Sequence, residues 1–512
     1  MLAHVFSAAT HGVDAYIVDV ETNLDSAVPY FAMVGLPDGA VKESRDRVAA
    51  AIKNSGLYYP LKRITVNLAP ADIKKEGSAF DLPIAVGILA ASDQAVTDHL
   101  PETVILGELS LDGSLRGVPG VLSMAVEAKR SGRRNVIVPT DNAREAALVD
   151  GLNVYPANSL DETLDILANP GARTPFTVDI HEVFSRHIDT TVDLLDVKGQ
   201  QHVKRSLEVA AAGGHNVIMI GPPGSGKTML ARRLPTILPD MTLEEALEVT
   251  KIHSVAGQLE PRQAIVANRP FRSPHHTISD AGLIGGGTYP RPGEVSLAHH
   301  GVLFLDELPE FKRSVLEVLR QPLEDGRVTI SRAAISLDYP AAFLLVASCN
   351  PCPCGYFGDP SNRCKCTPPV IQKYMSRLSG PLLDRIDLHI NVPSVPYKEL
   401  AADPKGETSE IVRKRVNHAR AYQEKRFRDR VGVFCNARMT SRDLRTHCRV
   451  DEQSHELLRI AIQKMGLSAR AYDRILKVSR TIADLDDSER VTARHVAEAV
   501  QYRSLDRQLW LR

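Results

Sequence analysis

The chain has 512 residues, 43% hydrophobic and 24% charged, and its length predicts about three domains, each large enough to bury a core. Lys plus Arg and Asp plus Glu both number 62, which excludes a globally basic nucleic-acid-binding protein and leaves only a local surface of that kind. No apolar stretch reaches membrane-spanning length, so we expect no membrane partner.

The first residues and the cysteine content bear on the cellular compartment in which the protein is expected. Residues 1–6 lack a basic region followed by a long apolar core, so we expect no signal peptide. Seven cysteines in a chain of this size favour reduced thiols or metal ligands. The sequence therefore predicts a cytoplasmic protein.

Residues 1–165 are predicted to form a first domain in which short strands alternate with helices. Strands are expected at 15–20, 63–68 and 135–139, and helices at 82–91 and 121–131. Residues 166–190 are interpreted as a linker, because 168–175 is a looser stretch with two prolines and a glycine.

A phosphate-binding loop lies at the start of the second predicted domain, residues 191–405. Its eight residues are Gly221, Pro222, Pro223, Gly224, Ser225, Gly226, Lys227 and Thr228, which match G-x-x-x-x-G-K-[ST] in full. An apolar run at 217–220 predicts the strand before the loop, and 229–234 predicts the helix after it. Backbone N–H groups would surround the phosphate oxygens, Lys227 would reach the β- and γ-phosphates, and the Thr228 hydroxyl would ligate Mg²⁺. The sequence thus predicts binding of a nucleoside triphosphate.

Two further predicted strands end in polar residues. The apolar run 301–305 leads to Asp306, placed to hold the Mg²⁺ shell, and to Glu307, placed to polarise the attacking water. The run 343–348 is followed by Asn350, which is either a turn residue or a group that orients the water or senses the γ-phosphate. Ligands sit at the carboxyl ends of parallel strands, so this order favours a parallel nucleotide-binding sheet.

Four cysteines follow directly, in the pattern C-x-C-x₉-C-x-C. They are Cys352, Cys354, Cys364 and Cys366. Four thiolates within fifteen residues could close a tetrahedral zinc site. The alternative is a loop whose cysteines stay reduced, and the C-x-C spacing is tighter than the usual C-x₂-C knuckle.

Residues 406–512 are predicted to form a helical lid, with helices at 454–465, 471–485 and 492–502. The stretch 411–450 contains twelve Lys or Arg and three acidic residues, which makes it a candidate DNA surface. A solvated basic helix face explains the same composition.

These motifs, in this order, resemble the AAA+ ATPases, and more closely the YifB/ComM family of magnesium-chelatase-like ATPases. The marks of the family are the phosphate loop and the segments 197–200, 211–216, 271–276, 350–355 and 379–387. The resemblance implies an α/β protein that binds ATP and Mg²⁺, with a Lon-protease-like α+β domain, an AAA+ parallel-sheet domain and a helical lid. It also implies a homo-oligomeric ring, a hexamer, acting on single-stranded or branched DNA.

Three arginines receive roles from this resemblance. The Leu-Leu-Asp-Arg element is similar to an arginine finger, so Arg385 would reach the γ-phosphate of the neighbouring subunit. The Ser-Ala-Arg element is similar to a second sensor, in which Arg470 brings the lid onto the nucleotide. For both arginines the alternative is a surface ion pair. Residues 326–337 are expected to form a hairpin, and Arg332 near its tip would follow a DNA backbone in the ring pore.

The first domain resembles the peptidase domain of Lon proteases but departs from it at the reacting positions. Ala79 stands at the position of the nucleophilic serine, and Leu122 at the position of the lysine. Ser78 is one residue away, and a serine–lysine dyad needs both groups in contact. We therefore expect a domain without peptidase activity that serves in assembly or substrate contact.

The resemblance implies helicase or branch-migration activity during the integration of incoming DNA in transformation. A rival prediction is a motor subunit of the magnesium-chelatase type, with protein partners and no DNA contact. A third is a protein-remodelling ATPase.

Overall fold

The computed structural model describes residues 1–75, 77–179, 192–260, 263–287, 289–332, 335–359, 363–401, 406–430 and 433–505. Two main sheets organise them: a mixed seven-stranded sheet in the N-terminal part and a five-stranded parallel sheet in the middle. In these described ranges no helix combines the length and the apolar character that crossing a bilayer requires.

The N-terminal domain is α+β, as predicted. Its strands are β1 (Leu2–His11), β2 (Asp14–Asp25), β3 (Tyr30–Val34), β4 (Arg63–Ala69), β5 (Thr103–Ile105), β6 (Glu108–Leu109), β7 (Leu115–Arg116), β8 (Asn135–Pro139) and β9 (Asn153–Ala157). The sheet order is β3-β4-β2-β1-β5-β8-β9, and β6 pairs with β7 separately. Its helices are α1 (Gly39–Asn54), α2 (Asp81–Ala91), α3 (Val121–Arg130), α4 (Ala143–Ala146) and α5 (Leu160–Ala168).

Helix α5 crosses the domain boundary that was expected at residue 165. It continues to Ala168, past the expected domain end at 165, because Ile166 and Leu167 are buried in the core of this domain. Ser159 starts the helix by accepting a hydrogen bond from the Glu162 amide. The predicted linker therefore begins later, and its part from 180 onward lies outside the described residues.

The middle domain has the predicted parallel sheet, in the order β11-β14-β17-β10-β18. Its strands are β10 (Val217–Ile220), β11 (Phe271–Arg272), β14 (Val302–Leu305), β17 (Leu344–Cys349) and β18 (Leu388–Asn391), with two small pairs, β12 (Gly285–Gly286) with β13 (Arg291–Pro292) and β15 (Arg327–Arg332) with β16 (Ile335–Pro340). Strands β10, β14 and β17 are buried along their whole length, as expected for a parallel sheet covered on both faces.

Ten helices are described in this middle domain. They are α6 (Gln201–Gly213), α7 (Lys227–Arg233), α8 (Leu243–Val255), α9 (Asp280–Ile284), α10 (Glu294–Leu297), α11 (Arg313–Val318), α12 (Arg320–Asp325), α13 (Pro368–Met375), α14 (Gly380–Leu383) and α15 (Tyr397–Ala401).

The C-terminal part is helical, as predicted, and it packs closely on the middle domain. Its helices are α16 (Ser409–Phe427), α17 (Ser441–His447), α18 (Glu452–Met465), α19 (Ala469–Leu485) and α20 (Ala493–Gln501). Side chains of α16 and α19, including Val416 and Ile482, share one apolar core with β10. The buried Gln423 amide also donates a 2.9 Å hydrogen bond to the Ala212 carbonyl of α6. The C-terminal helices are thus attached to the first helix of the middle domain.

The N-terminal domain is joined to the middle domain through a buried carboxylate. Glu145 accepts a 2.8 Å hydrogen bond from the Leu122 amide and another from the Ser254 hydroxyl at the end of α8. The Gly120 amide donates to the same hydroxyl at 2.9 Å. Burial raises the pKa of Glu145, although these hydrogen bonds oppose the shift.

Candidate ATPase site and cysteine cluster

The phosphate loop connects β10 to α7, as predicted. Gly226 ends the loop at φ +88°, a conformation that favours glycine, and α7 begins at Lys227. The loop borders a cavity of about 420 Å³. The lining residues are Pro223, Gly224, Gly226, Lys227, Thr228, Met229, Asp306, Glu307, Ser348, Cys349 and Asn350. Residues predicted from three separate motifs therefore share one cavity.

Lys227 occupies the centre of this site. Its Nζ donates to the carbonyls of Gly221 at 2.8 Å and Pro222 at 2.9 Å, and to Asn350 Oδ1 at 3.2 Å. Burial lowers the pKa of this amine, while Asp306 and Glu307 oppose the shift. The contact with Asn350 confirms that the end of β17 reaches the phosphate loop.

Asp306 meets two hydroxyl groups, one from the first turn of α7 and one from the end of β17. Thr228 Oγ1 donates to Asp306 Oδ2 at 2.7 Å, and Ser348 Oγ donates to Asp306 Oδ1. The pairing of Leu305 with Ala347 sets β14 and β17 in the register that places these groups side by side. Mg²⁺ prefers such hard oxygen ligands and keeps several waters, so the hydroxyl of Thr228 and the carboxylate of Asp306 fit it.

Glu307 follows in a left-handed backbone conformation, with φ +53°. Its amide donates to Asp306 Oδ1 at 3.1 Å and to Ser348 Oγ at 3.3 Å, which fixes the turn after β14. A left-handed non-glycine residue costs free energy and is often found at functional sites. Both predicted carboxylates therefore stand at the same cavity with defined backbone support.

Two residues of this site were missed from the sequence. Ser348 holds Asp306, and the sequence signal was a hydroxyl near the end of an apolar strand. Gln200 Nε2 donates to the carbonyls of Ser225 at 2.9 Å and Pro393 at 2.8 Å, which ties the phosphate loop to the chain after β18. Its signal in the sequence was its place in the segment 197–200, one of the marks of the family.

The structure places Arg385 apart from this cavity, at Glu324. The Arg385 guanidinium donates to the Pro381 carbonyl at 2.7 Å and forms an ion pair with Glu324. Hydrogen bonding from Arg385 lowers the pKa of the Glu324 carboxyl, and the charges of Arg470 and Arg474 lower it further. Neither Arg385 nor Arg470 lines the cavity of the same chain. Both predicted arginines therefore lie outside the cavity at their own phosphate loop.

The four clustered cysteines come together. Their Sγ atoms all lie within 4.8 Å of one another, with Cys352 at 3.3 Å from Cys354 and at 3.8 Å from Cys364. Hydrogen bonds from the Tyr356 amide and from neighbouring groups lower the pKa of Cys354 to about 6. The sulfurs are too far apart for disulfides and close enough for one ion, so the set fits tetrahedral zinc.

The predicted hairpin is confirmed by the antiparallel pairing of β15 with β16. Arg332 is the last residue of β15, is exposed, and donates from Nε to the Gly287 carbonyl at 3.3 Å. Its proposed DNA contact remains a prediction.

The basic stretch 411–450 uses several of its charges internally. Five ion pairs show this: Arg413–Asp240, Lys414–Glu410, Arg415–Glu208, Arg426–Asp484 and Arg430–Asp443. The pairs of Arg413, Arg415 and Arg426 attach α16 to its surroundings, and all five pairs leave fewer cations for phosphate. The geometry therefore favours the structural explanation for this stretch over a DNA surface.

His299, Glu248 and His300 form a polar cluster before β14. His299 Nδ1 accepts a 2.9 Å hydrogen bond from the Ala342 amide, so its proton lies on Nε2, which is 3.2 Å from Glu248. His300 Nε2 lies 2.8 Å from the same carboxylate. Burial lowers the pKa of His299 to about 4. A proton already occupies the Nε2 that would ligate a metal, so this cluster is a hydrogen-bonded one.

The positions that correspond to a Lon dyad are apolar and buried. Ala79 and Leu122 belong to one hydrophobic cluster. The Ser78 hydroxyl donates to the Glu108 carboxylate, so its partner is an anion and not an amine. This geometry supports the prediction of a domain without a serine–lysine dyad.

Comparisons with known proteins agree with this architecture. The family described as magnesium chelatase, subunit ChlI, matches residues 193–400, and descriptions of other parts of the same subunit match residues 20–142 and 406–503. The chain is 48% identical over 511 residues to competence protein ComM of Haemophilus influenzae, covering 99% of this chain and 98% of that protein. It is 46% identical over 510 residues to YifB of Escherichia coli, covering 99% of this chain and 98% of that protein.

More distant similarity reaches two other kinds of protein. The chain is 30% identical over 145 residues to Lon protease 2 of Bacillus subtilis, which is 28% of this chain and 26% of that protein. It is 26% identical over 174 residues to the magnesium-chelatase 38 kDa subunit of Rhodobacter capsulatus, and the match covers 30% of this chain and 49% of that protein. With full-length similarity to ComM and YifB and an ATPase site built from the family's motifs, the chain belongs to the YifB/ComM family of magnesium-chelatase-like AAA+ ATPases.

Proposed function

We propose that this protein is a Mg²⁺-dependent ATPase that assembles into a hexameric ring in the cytoplasm and translocates on single-stranded or branched DNA. The observation that carries the ATPase proposal is the shared cavity of Lys227, Thr228, Asp306 and Glu307. The similarity to competence protein ComM supports a use in natural transformation, where the ring would drive branch migration during DNA integration.

The site residues divide the chemistry among them. Lys227 would exchange its carbonyl partners for the β- and γ-phosphate oxygens, since its Nζ already faces the loop and the end of β17. Thr228 and Asp306 would hold Mg²⁺, which neutralises charge on the phosphates. Glu307 would orient and polarise the attacking water, and Asn350 would align that water or sense the γ-phosphate.

The arginines require a neighbouring subunit. Arg385 lies in the Glu324 cluster outside its own cavity, so we infer that its guanidinium acts on the γ-phosphate of the next subunit. The charge of Arg470 acts on the same carboxylate, and its role as a second sensor would use the same interface. Hydrolysis should then rise steeply with protein concentration.

We further propose that the four cysteines hold one zinc ion per chain, based on the convergence of their sulfurs. Elemental analysis of the purified protein tests this directly. A ratio near zero that stays there after reconstitution with zinc under reducing conditions would leave a loop of reduced thiols.

The decisive experiment is ATP hydrolysis with and without single-stranded or branched DNA. Lys227→Ala should abolish turnover, and Glu307→Gln should bind ATP without hydrolysing it. Arg459→Ala is a matched surface control, because Arg459 is exposed and pairs with Glu456 and Gln463 on its own helix.

The outcomes separate the candidate functions. Stimulation by DNA supports the translocase. Hydrolysis that no DNA changes would refute it and favour a magnesium-chelatase-type motor or a protein-remodelling ATPase. A Glu307→Gln protein with native turnover would show that the assigned carboxylate is wrong.

A further inference from the structure

The segment after β17 leads directly from the ATP cavity to the cysteine cluster. Asn350 accepts a 3.2 Å hydrogen bond from Lys227 Nζ, and Cys352, two residues later, is completely buried and belongs to the cluster. Because a single residue separates Asn350 from Cys352, a shift of the cluster would also move Asn350.

A second contact joins the cysteine loop to the phosphate loop itself. Gly355 has φ +84°, and a Cβ added there would lie 2.5 Å from Pro223 Cδ and 3.2 Å from its Cγ. Its amide donates to the Cys352 carbonyl at 2.9 Å, which holds the turn closed. Pro223 lines the ATP cavity, so the backbone of the cysteine loop forms the support behind one wall of that cavity.

Regular secondary structure does not support the described part of this loop. In its described residues, 350–359 and 363–367, no helix or strand is formed before α13 begins at Pro368. Cys364 and Cys366 lie ten or more residues after the first pair, yet their sulfurs converge on it. Four sulfurs within 4.8 Å of one another form the ligand set of one tetrahedral zinc ion. An ion bound there would join the two cysteine pairs of the loop directly.

We propose that a zinc ion held by the four cysteines is a positioning element of the ATPase site. It keeps the Gly355 turn against Pro223 and Asn350 against Lys227, without touching the nucleotide. This inference rests on the proposed ATPase and on zinc binding. It predicts that loss of zinc weakens nucleotide binding, an effect that a remote docking module for DNA or protein would not have.

Equilibrium binding of a fluorescent ATP analogue to the full-length protein, with the zinc content measured in parallel, tests the coupling. Cys364→Ser and Cys366→Ser should lose zinc and raise the Kd for nucleotide about tenfold or more, as a displaced phosphate-binding group would. Removing zinc with a chelator should do the same, and adding zinc back should restore the native Kd. Lys365→Ala, between the two cysteines, is the matched control and should keep both zinc and affinity.

The Gly355 contact allows a separate test. Gly355→Ala should keep its zinc and still raise the Kd, because the added methyl meets Pro223. Made in a Pro223→Ala background, the same change should cost less, because the ring atoms that it meets are gone. Circular dichroism and the unfolding midpoint show whether each variant is folded.

Three results have distinct meanings. Zinc-free folded protein that binds the nucleotide with native affinity would overturn the inference while leaving the ATPase proposal intact. Protein that never holds zinc would also overturn it. Native, zinc-loaded protein that fails to bind nucleotide would refute the proposed ATPase function itself.

Discussion

Arg474 links the helical lid to the ATPase domain through an ion pair. It lies on α19 and forms an ion pair with Asp387, which follows Arg385 by two residues and is 4% exposed. Asp387 also accepts a 3.0 Å hydrogen bond from the Asn216 amide, and His215 Nδ1 lies 3.6 Å away. Burial alone would raise the pKa of Asp387, but Arg474 and His215 outweigh it and hold this pKa well below its usual range.

Replacing Arg474 by Ala should leave a buried carboxylate without its main cation. Removing one partner of a buried pair costs about 3–5 kcal/mol. We expect about 3 kcal/mol, because His215 stays near the carboxylate and Arg474 itself is 22% exposed. The contribution of the pair is complete above the unfolded-state pKa of about 3.9 and is lost as the pH falls from there towards the lower folded-state pKa, so the difference from native should shrink below about pH 4.

Thermal unfolding at neutral and acidic pH measures this effect. A loss of about 3 kcal/mol corresponds to a fall in Tm of about 6 °C at neutral pH, at about 2 °C per kcal/mol for a large domain. Arg459→Ala is the control, since its pair with Glu456 is exposed and should contribute less than about 0.5 kcal/mol. The double variant with Asp387→Asn should be more stable than the sum of the two single losses predicts.

A neutral-pH Tm of the Arg474→Ala protein within the error of the Arg459→Ala control would refute this reasoning. Purely additive losses in the double variant would also refute it, because they would mean that the two charges do not stabilise one another.

Four further outcomes are expected. Gln200→Ala should weaken ATP binding by up to about thirtyfold in a nucleotide titration, because it removes two hydrogen bonds of about 1 kcal/mol each that hold the phosphate loop; unchanged affinity would contradict this role. Arg332→Ala should spare basal hydrolysis but reduce DNA stimulation, and should lower the slope of log affinity against log salt by about one; an unchanged slope would remove Arg332 from the DNA contact. Mixing Arg385→Ala with Lys227→Ala subunits should restore some hydrolysis, since one supplies an intact pocket and the other an intact finger, and a mixture without activity would argue against action between subunits. His299 has a pKa lowered to about 4 by burial, so native stability should fall between pH 6.5 and 4 as the unfolded state takes up the proton; His299→Gln should flatten this decline, and an equal slope in both proteins would disprove the assignment.

Local sequence patterns predicted the elements that depend on neighbours along the chain. The strand 217–220 and the loop after it appear where the apolar run and the glycines placed them. The helix predicted at 82–91 is α2, which is buried at every position because it packs against β1 and β2. Such features need only periodicity and backbone sterics, which the sequence carries directly.

Contacts between distant segments were not predictable in the same way. Gln200 and Ser348 support the site from residues far from the phosphate loop, and neither belongs to its motif. The basic stretch 411–450 was open to two interpretations, and ion pairs such as Arg426–Asp484 favour the structural one. A count of charged residues does not show which of the basic side chains form ion pairs with carboxylates of the folded protein.

The sequence by itself determined that this protein binds nucleoside triphosphate, because the loop from Gly221 to Thr228 needs only its own glycines and the adjoining strand and helix. Only the tertiary structure decided what surrounds that loop. Strand order brings Asp306 and Asn350 to it, chain folding sets Gly355 against Pro223, and Arg385 pairs with Glu324 outside the cavity. The reason is physical: a backbone conformation is set by near neighbours, whereas a contact between distant side chains exists only after the chain has packed.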